Sequence, residues 1–196
     1  MIGVLSYAVF FASIVLILGV LVLGLNLQWG YTGLFNAGVA GFYAIGGYAY
    51  AIITAAPKPE MIGHLGWHWS FGILAAMLAS ALAAWIIGLA TIRLRDDYLA
   101  IATFGIATTI QLVALNWESL TGGPNGLSAV PRPMAAVFPT PLGFNLSYLA
   151  LLAAVVLLVY LALERILRSP WGRVLKAIRE DETAAVALGK LSLIHI

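Results

Sequence analysis

The hydrophobic positions fall in long runs separated by short polar joints. Val4 to Leu25 is an unbroken apolar stretch of 22 residues, about 33 Å as an α-helix and therefore long enough to cross a hydrocarbon core. It lacks a basic leading region, and its length exceeds the apolar core of a cleaved signal peptide, so it is expected to be a first membrane span. A polar, glycine-rich joint follows, Asn26 to Asn36, before a second apolar stretch over 37–56. The segment from Pro57 to Ser70 holds Pro, Gly and His, with Trp67 and Trp69 placed to anchor it at headgroup level. Further apolar stretches cover 71–92, 98–115 and 148–163. They are separated by the charged turn of Arg93, Arg95, Asp96 and Asp97 and by the long polar stretch from Asn116 to Ser147. This pattern predicts an all-α fold, a polytopic transmembrane helix bundle of about five spans.

Composition removes the soluble alternative. Only 9% of the residues are charged and 62% are hydrophobic, against roughly 25% charged in an average soluble domain. A surface facing water cannot be assembled from that inventory, so the missing polar surface faces lipid.

Charge placement sets the expected orientation. Of the 10 Lys and Arg residues, six lie after Leu163, and short loops rich in Lys and Arg stay on the cytoplasmic side. With the tail of Arg165, Arg168, Arg173, Lys176 and Arg179 inside, the 116–147 segment falls outside and the Arg93/Arg95 turn inside. The Lys58 loop and the amino terminus then fall outside.

Small residues at four-residue spacing allow close helix approach. Gly33, Ala37 and Gly41 form one such row, and Ala76, Ser80, Ala84 and Gly88 another. The alternative is that Gly and Ala are simply common in membrane spans.

The candidate chemistry is sparse. No Asp, Glu, Lys, Arg or His lies within the expected spans, which speaks against intramembrane catalysis. The chain lacks a Gly-x-x-x-x-Gly-Lys-Ser/Thr phosphate loop, so ATP, if it drives this protein, is bound by another chain. There are no cysteines, and His64 and His68 sit in a Pro- and Gly-broken segment ill suited to a metal site. No cofactor on this chain and no nucleic-acid partner are expected. Polar groups at membrane depth are tolerated where they are buried in protein or line a water-filled cavity. Asn26, Gln28, Asn36, Thr108 and Gln111 are therefore candidates for a translocation pathway, with Thr32, Thr103, Thr109 and Asn116 nearby in sequence. The competing reading is hydrogen bonding between helices, with 26–36 an ordinary interfacial loop.

The tail carries the sharpest local signal. Ser169 and Pro170 form a helix cap and first-turn pair, and Trp171, Val174, Leu175 and Ile178 then make one apolar stripe. Arg173, Lys176 and Arg179 take the opposite face, a pattern that suits a helix lying on lipid. Glu180, Asp181 and Glu182 change that balance, because an anionic membrane surface repels them. They suit the start of a second short helix, Thr183 to Leu188, ended by Gly189 and projecting toward a soluble partner.

This tail, from Ser169 to Gly189, resembles the cytoplasmic coupling segment of the permease subunits of ATP-binding-cassette importers for branched-chain amino acids. Within it Thr183-Ala184-Ala185, three residues and Gly189 have the spacing of the wider importer motif Glu-Ala-Ala-x-x-x-Gly, with Thr183 where that motif has Glu. Gly24 to Gly38, Tyr98 to Gly105 and Asn116 to Leu127 are similar to the same family in the same order, and Leu120 to Leu127 looks like the larger of its two paired permeases. The resemblance implies coupling to an ATP-binding subunit through Arg179, Glu180, Asp181, Glu182, Thr183, Ala184, Ala185 and Gly189. It also implies a second permease subunit, ATP-binding-cassette subunits, an extracytoplasmic substrate-binding protein and a lipid bilayer as partners, in a bacterial inner membrane. After Gly189 the family continues through further spans. Residues 190–196 instead resemble read-through of a sequencing adapter, so a C-terminally truncated fragment is expected. The alternatives from other classes are a secondary transporter or channel for a small polar solute, or an assembly protein without a pathway. The former would more often carry an ion-coupling carboxylate or histidine within the membrane.

Overall fold

A computed structural model of the chain describes residues 2–57, 61–91, 94, 96–133, 140–181 and 185. Helix α1, Ile2–Leu25, runs into a π-helical segment, Asn26–Thr32; α2 is Val39–Thr54, α3 Trp69–Thr91 and α4 Asp96–Asn116. The short α5, Glu118–Thr121, and a 3₁₀ turn, Gly123–Asn125, precede α6, Pro141–Arg168, and α7, Pro170–Glu180. Among the described residues, four helical stretches are long and apolar enough to cross a membrane: Gly3–Thr32, Trp69–Thr91, Asp97–Asn116 and Leu142–Arg168. The second expected span is an apolar helix of only 16 residues, about 24 Å long. The described residues thus agree with the expected all-α polytopic bundle, with four helices of spanning length and one shorter apolar helix. The chain folds as two units, Asn36–Pro133 and a second made of Met1–Phe35 with Met134–Ile196.

In the unit Asn36–Pro133, α2 is the centre. It runs antiparallel to α3, with Gly72 against Thr54 and Tyr50 at one end and Gly46 against Ser80 and Ala76 further along. The Ser80 hydroxyl donates to the Phe42 carbonyl at 3.1 Å. It runs parallel to α4, with Gly38 against Thr103 and Gly41 against Ala107 and Ile110. A Cβ at Gly41 would lie 3.1 Å from the Ala107 Cα, so glycine permits the backbones to approach this closely. The small-residue rows are only partly used. Ala76 and Ser80 face α2, whereas Ala84 is exposed and a Cβ at Gly88 would meet nothing within 4 Å. Gly33 terminates the π-helical segment instead of sharing a helix face with Gly41.

The ends of this unit obey the same alternation. After α2 the chain folds back so that the amides of Leu65, Gly66 and Trp67 donate to the carbonyls of Ile52, Ala55 and Ile53, satisfying acceptors that a helix end leaves open. The Ile62 amide donates to the Ser119 carbonyl at 2.8 Å, and the Tyr50 hydroxyl to the Pro131 carbonyl at 2.8 Å. The segments after α2 and after α4 therefore lie at one end of the unit, as an up–down path requires. His64 is buried in the first of them, while His68 Nδ1 is hydrogen bonded to the Ser70 hydroxyl at 2.9 Å.

In the other unit, α1 packs against α6, and α7 packs against both α6 and the π-helical segment. Helix α6 is longer than its apolar core, because Glu164, Arg165 and Arg168 continue it past Leu163 with good helix-forming side chains. The turn into α7 follows the expected cap: the Ser169 hydroxyl accepts from the Trp171 amide at 3.2 Å. Gly172 is needed there, since any Cβ would collide with the Leu167 carbonyl.

Candidate functional site

The expected joint at Asn26 to Asn36 is helical over most of its length, in the wider π form. Such turns insert an extra residue per turn and are frequent at functional positions. Here the Asn26 side chain lies over Gly30, where a Cβ would clash with it, and the Thr32 hydroxyl donates back to the Gln28 carbonyl. Gly33, at φ +80°, ends the segment, its amide donating to the Trp29 carbonyl at 3.2 Å. Only a glycine adopts that left-handed conformation without cost. The polar residues interrupt the apolar run without interrupting the helical path, which is why hydropathy alone reads a joint.

Two polar contacts help fasten helix α7 to this segment. The Arg179 guanidinium donates to the Gly30 carbonyl at 2.5 Å, and the Lys176 ammonium lies 5.3 Å from the centre of the Tyr31 ring. Both place cations at the carbonyl end of a helix, where its dipole favours positive charge. The stripe expected on α7 is only partly covered. Val174, Leu175 and Ile178 are half-buried, and Trp171 is exposed.

The pathway candidates divide between the units. Asn26 and Gln28 belong to one, and both side chains are exposed. Asn36, Thr108 and Gln111 belong to the other. Asn36 Oδ1 accepts from the Gly38 amide at 2.8 Å, a local turn that starts α2. The Thr108 hydroxyl donates to the Gly105 carbonyl at 2.8 Å on its own helix, and Gln111 is exposed one turn further on. Their three-residue spacing puts Thr108 and Gln111 on one face of α4, away from the Thr103–Ala107 face that meets α2. Thr103 is different: buried, its hydroxyl accepts from the Ala37 amide at 3.1 Å and donates to the Leu99 carbonyl at 2.8 Å. It ties the start of α2 to α4.

Of the expected coupling residues, Arg179, Glu180 and Asp181 are exposed. Ala185 is buried at 3% exposure, its amide donating to the Asp181 carbonyl at 3.0 Å. Glu182, Thr183, Ala184 and Gly189 lie outside the described residues, as do most of the expected short helix, the Arg93 and Arg95 side chains and the 190–196 segment. The Arg179–Gly30 and Lys176–Tyr31 contacts were not foreseen from the sequence. Nothing local signals a pairing across 149 positions.

Residues 7–191 match the family model described as branched-chain amino acid transport system / permease component. The chain is 36% identical over 200 residues to the high-affinity branched-chain amino acid transport system permease protein LivM of Escherichia coli K12, covering 91% of this chain and 45% of that protein. The Salmonella typhimurium protein of the same name is also 36% identical with the same coverage. A probable branched-chain amino acid transport permease protein LivM from Methanocaldococcus jannaschii is 31% identical over 198 residues, covering 86% of this chain and 55% of that one. The chain thus spans about half the length of the curated relatives it matches. No solved structure matches it significantly. With a family match over nearly its whole length and long apolar helices to accompany it, this multi-pass membrane protein belongs to the branched-chain amino acid transport system permease component family.

Proposed function

We propose that the chain is membrane-spanning permease sequence of an ATP-driven importer for branched-chain or related amino acids, and not an enzyme. ATP is hydrolysed on partner chains of the ATP-binding-cassette type. A substrate-binding protein delivers the amino acid from outside, and a second permease subunit completes the path through a bacterial inner membrane. The amino terminus faces outward and the tail after α6 faces the cytoplasm.

The observation that carries this reading is the attachment of α7 to the end of the first membrane helix, through Arg179 on the Gly30 carbonyl and Lys176 over Tyr31. A displacement imposed on the tail by a nucleotide-dependent partner is passed to α1 by these contacts, and to α6 by the short Ser169 turn. Arg179, Glu180 and Asp181, with the segment through Glu182, Thr183, Ala184, Ala185 and Gly189, form the coupling region. The π-helical segment makes α1 deformable at the point of attachment, since its hydrogen bonding is already loosened relative to an α-helix. Asn26, Gln28, Asn36, Thr108 and Gln111 supply polar groups along the translocation pathway. An amide or hydroxyl there replaces water around the ammonium and carboxylate of a passing amino acid.

The test is uptake of labelled leucine into proteoliposomes holding the product of the complete reading frame, with its genomically neighbouring permease, ATP-binding subunits and binding protein. Accumulation that requires hydrolysable ATP supports the reading. Uptake equally fast with a non-hydrolysable analogue contradicts it.

A further inference from the structure

A cavity of about 330 Å³ opens where the ends of α1, α6 and α7 converge. Four of its lining residues are leucines, Leu23 and Leu27 from α1 and the π-helical segment and Leu163 and Leu167 from α6. The rest is polar, with Tyr31 and Tyr160, the Asn26 amide, and Glu164, Arg168 and Lys176. All of these belong to one unit of the fold. The cavity straddles the place where the apolar runs of both long helices stop, at Leu25 and Leu163. In a membrane that is the level at which hydrocarbon gives way to headgroups.

Its electrostatics select the occupant. Glu164 is the one carboxylate among the lining residues, and it is already bonded to Arg168. The two cations, Arg168 and Lys176, leave a surplus of one positive charge. The open carbonyls of the helix ends are partly answered by Arg179 on the Gly30 carbonyl. What remains is a concave site lined by leucines together with Lys176, Arg168, Tyr31 and Tyr160, side chains of the kinds that donate to an anion. We propose that this cavity is a site for one anionic phospholipid, its phosphodiester held by Lys176, Arg168 and the tyrosine hydroxyls and an acyl chain lying along the leucines. A bound lipid would hold α7 against α1 and α6, adding a lipid requirement to the coupling region. The proposal does not depend on which solute the protein carries.

The test is native mass spectrometry of the delipidated chain, re-supplied with phosphatidylglycerol or phosphatidylcholine. Wild type is expected to retain one phosphatidylglycerol in preference to phosphatidylcholine. Preference should fall roughly fivefold for each cation removed in Lys176→Gln and Arg168→Gln. Glu164→Gln frees Arg168 and should raise retention, a direction that damage to the fold cannot mimic. Equal retention of the two lipids by wild type, unchanged retention in the double cation variant, or reduced retention in Glu164→Gln would each overturn the proposal. Displacement of the lipid by a millimolar excess of inorganic phosphate would also overturn it, as the mark of a free-phosphate site.

Discussion

The Arg179 guanidinium sits on the Gly30 carbonyl, joining the amphipathic helix that follows the last described span to the π-helical end of the first. A hydrogen bond from a charged donor to an open helix-end carbonyl is favourable on two counts, direct bonding and helix-dipole complementarity. It is exposed, so it is worth only about 1 kcal/mol. Its importance is mechanical, because it links two elements that lie 149 positions apart in the chain.

Replacing Arg179 by Gln is therefore expected to leave the fold intact and to loosen coupling. In reconstituted complexes, uptake per ATP hydrolysed should fall about fivefold, the equivalent of about 1 kcal/mol, while binding of the ATP-hydrolysing subunit persists. Parallel assays of uptake and hydrolysis measure this ratio. An unchanged ratio would show that the contact transmits nothing.

Thr103→Val keeps shape but removes the hydroxyl that accepts from the Ala37 amide. A buried amide left without its acceptor costs about 1–3 kcal/mol. Thermal unfolding in detergent should register the loss, and Thr103→Ser should restore most of it.

Glycine positions give a matched pair on α2. Gly41→Val pushes a side chain into the Ala107 backbone and Ile110, and overpacking of that kind costs about 1–3 kcal/mol. Gly47→Ala meets nothing within 4 Å and should be neutral or slightly stabilising, because Gly inside a helix costs about 1 kcal/mol relative to Ala. The difference in unfolding temperature between the two variants is the readout.

The pathway assignment predicts loss of transport without loss of stability. Thr108→Val and Gln111→Leu alter one face of α4 and break no described contact with α2. Uptake by the double variant should drop at least tenfold with its unfolding temperature unchanged. Full uptake by that variant would return Thr108 and Gln111 to the role of ordinary helix-surface residues.

Much of the architecture is legible in the sequence because a membrane span must be apolar over its whole length, and that demand leaves long runs such as Val4 to Leu25. Helix ends are less legible. Glu164 and Arg168 fall outside the apolar run yet continue α6, since charge ends hydrocarbon burial without ending a helix. The Asn26–Thr32 segment reads as a joint for the same reason, although its backbone stays helical. The Ser169 cap is local chemistry and is visible directly. The burial of Ala185 and the partnership of Arg179 with Gly30 depend on residues brought together by folding, and no local pattern carries them.

The central claim, that the tail after α6 is where an ATP-hydrolysing partner engages this permease, is tested most directly by pull-down. The chain in nanodiscs would be presented to its genomically neighbouring ATP-binding subunit, comparing wild type with Glu180→Lys and Gly189→Asp. Glu180 is exposed, so its reversal probes the surface and not the packing, as Ala185→Glu at a buried position would. Retention by wild type and loss from both variants is the predicted result. Equal retention by all three would contradict the claim.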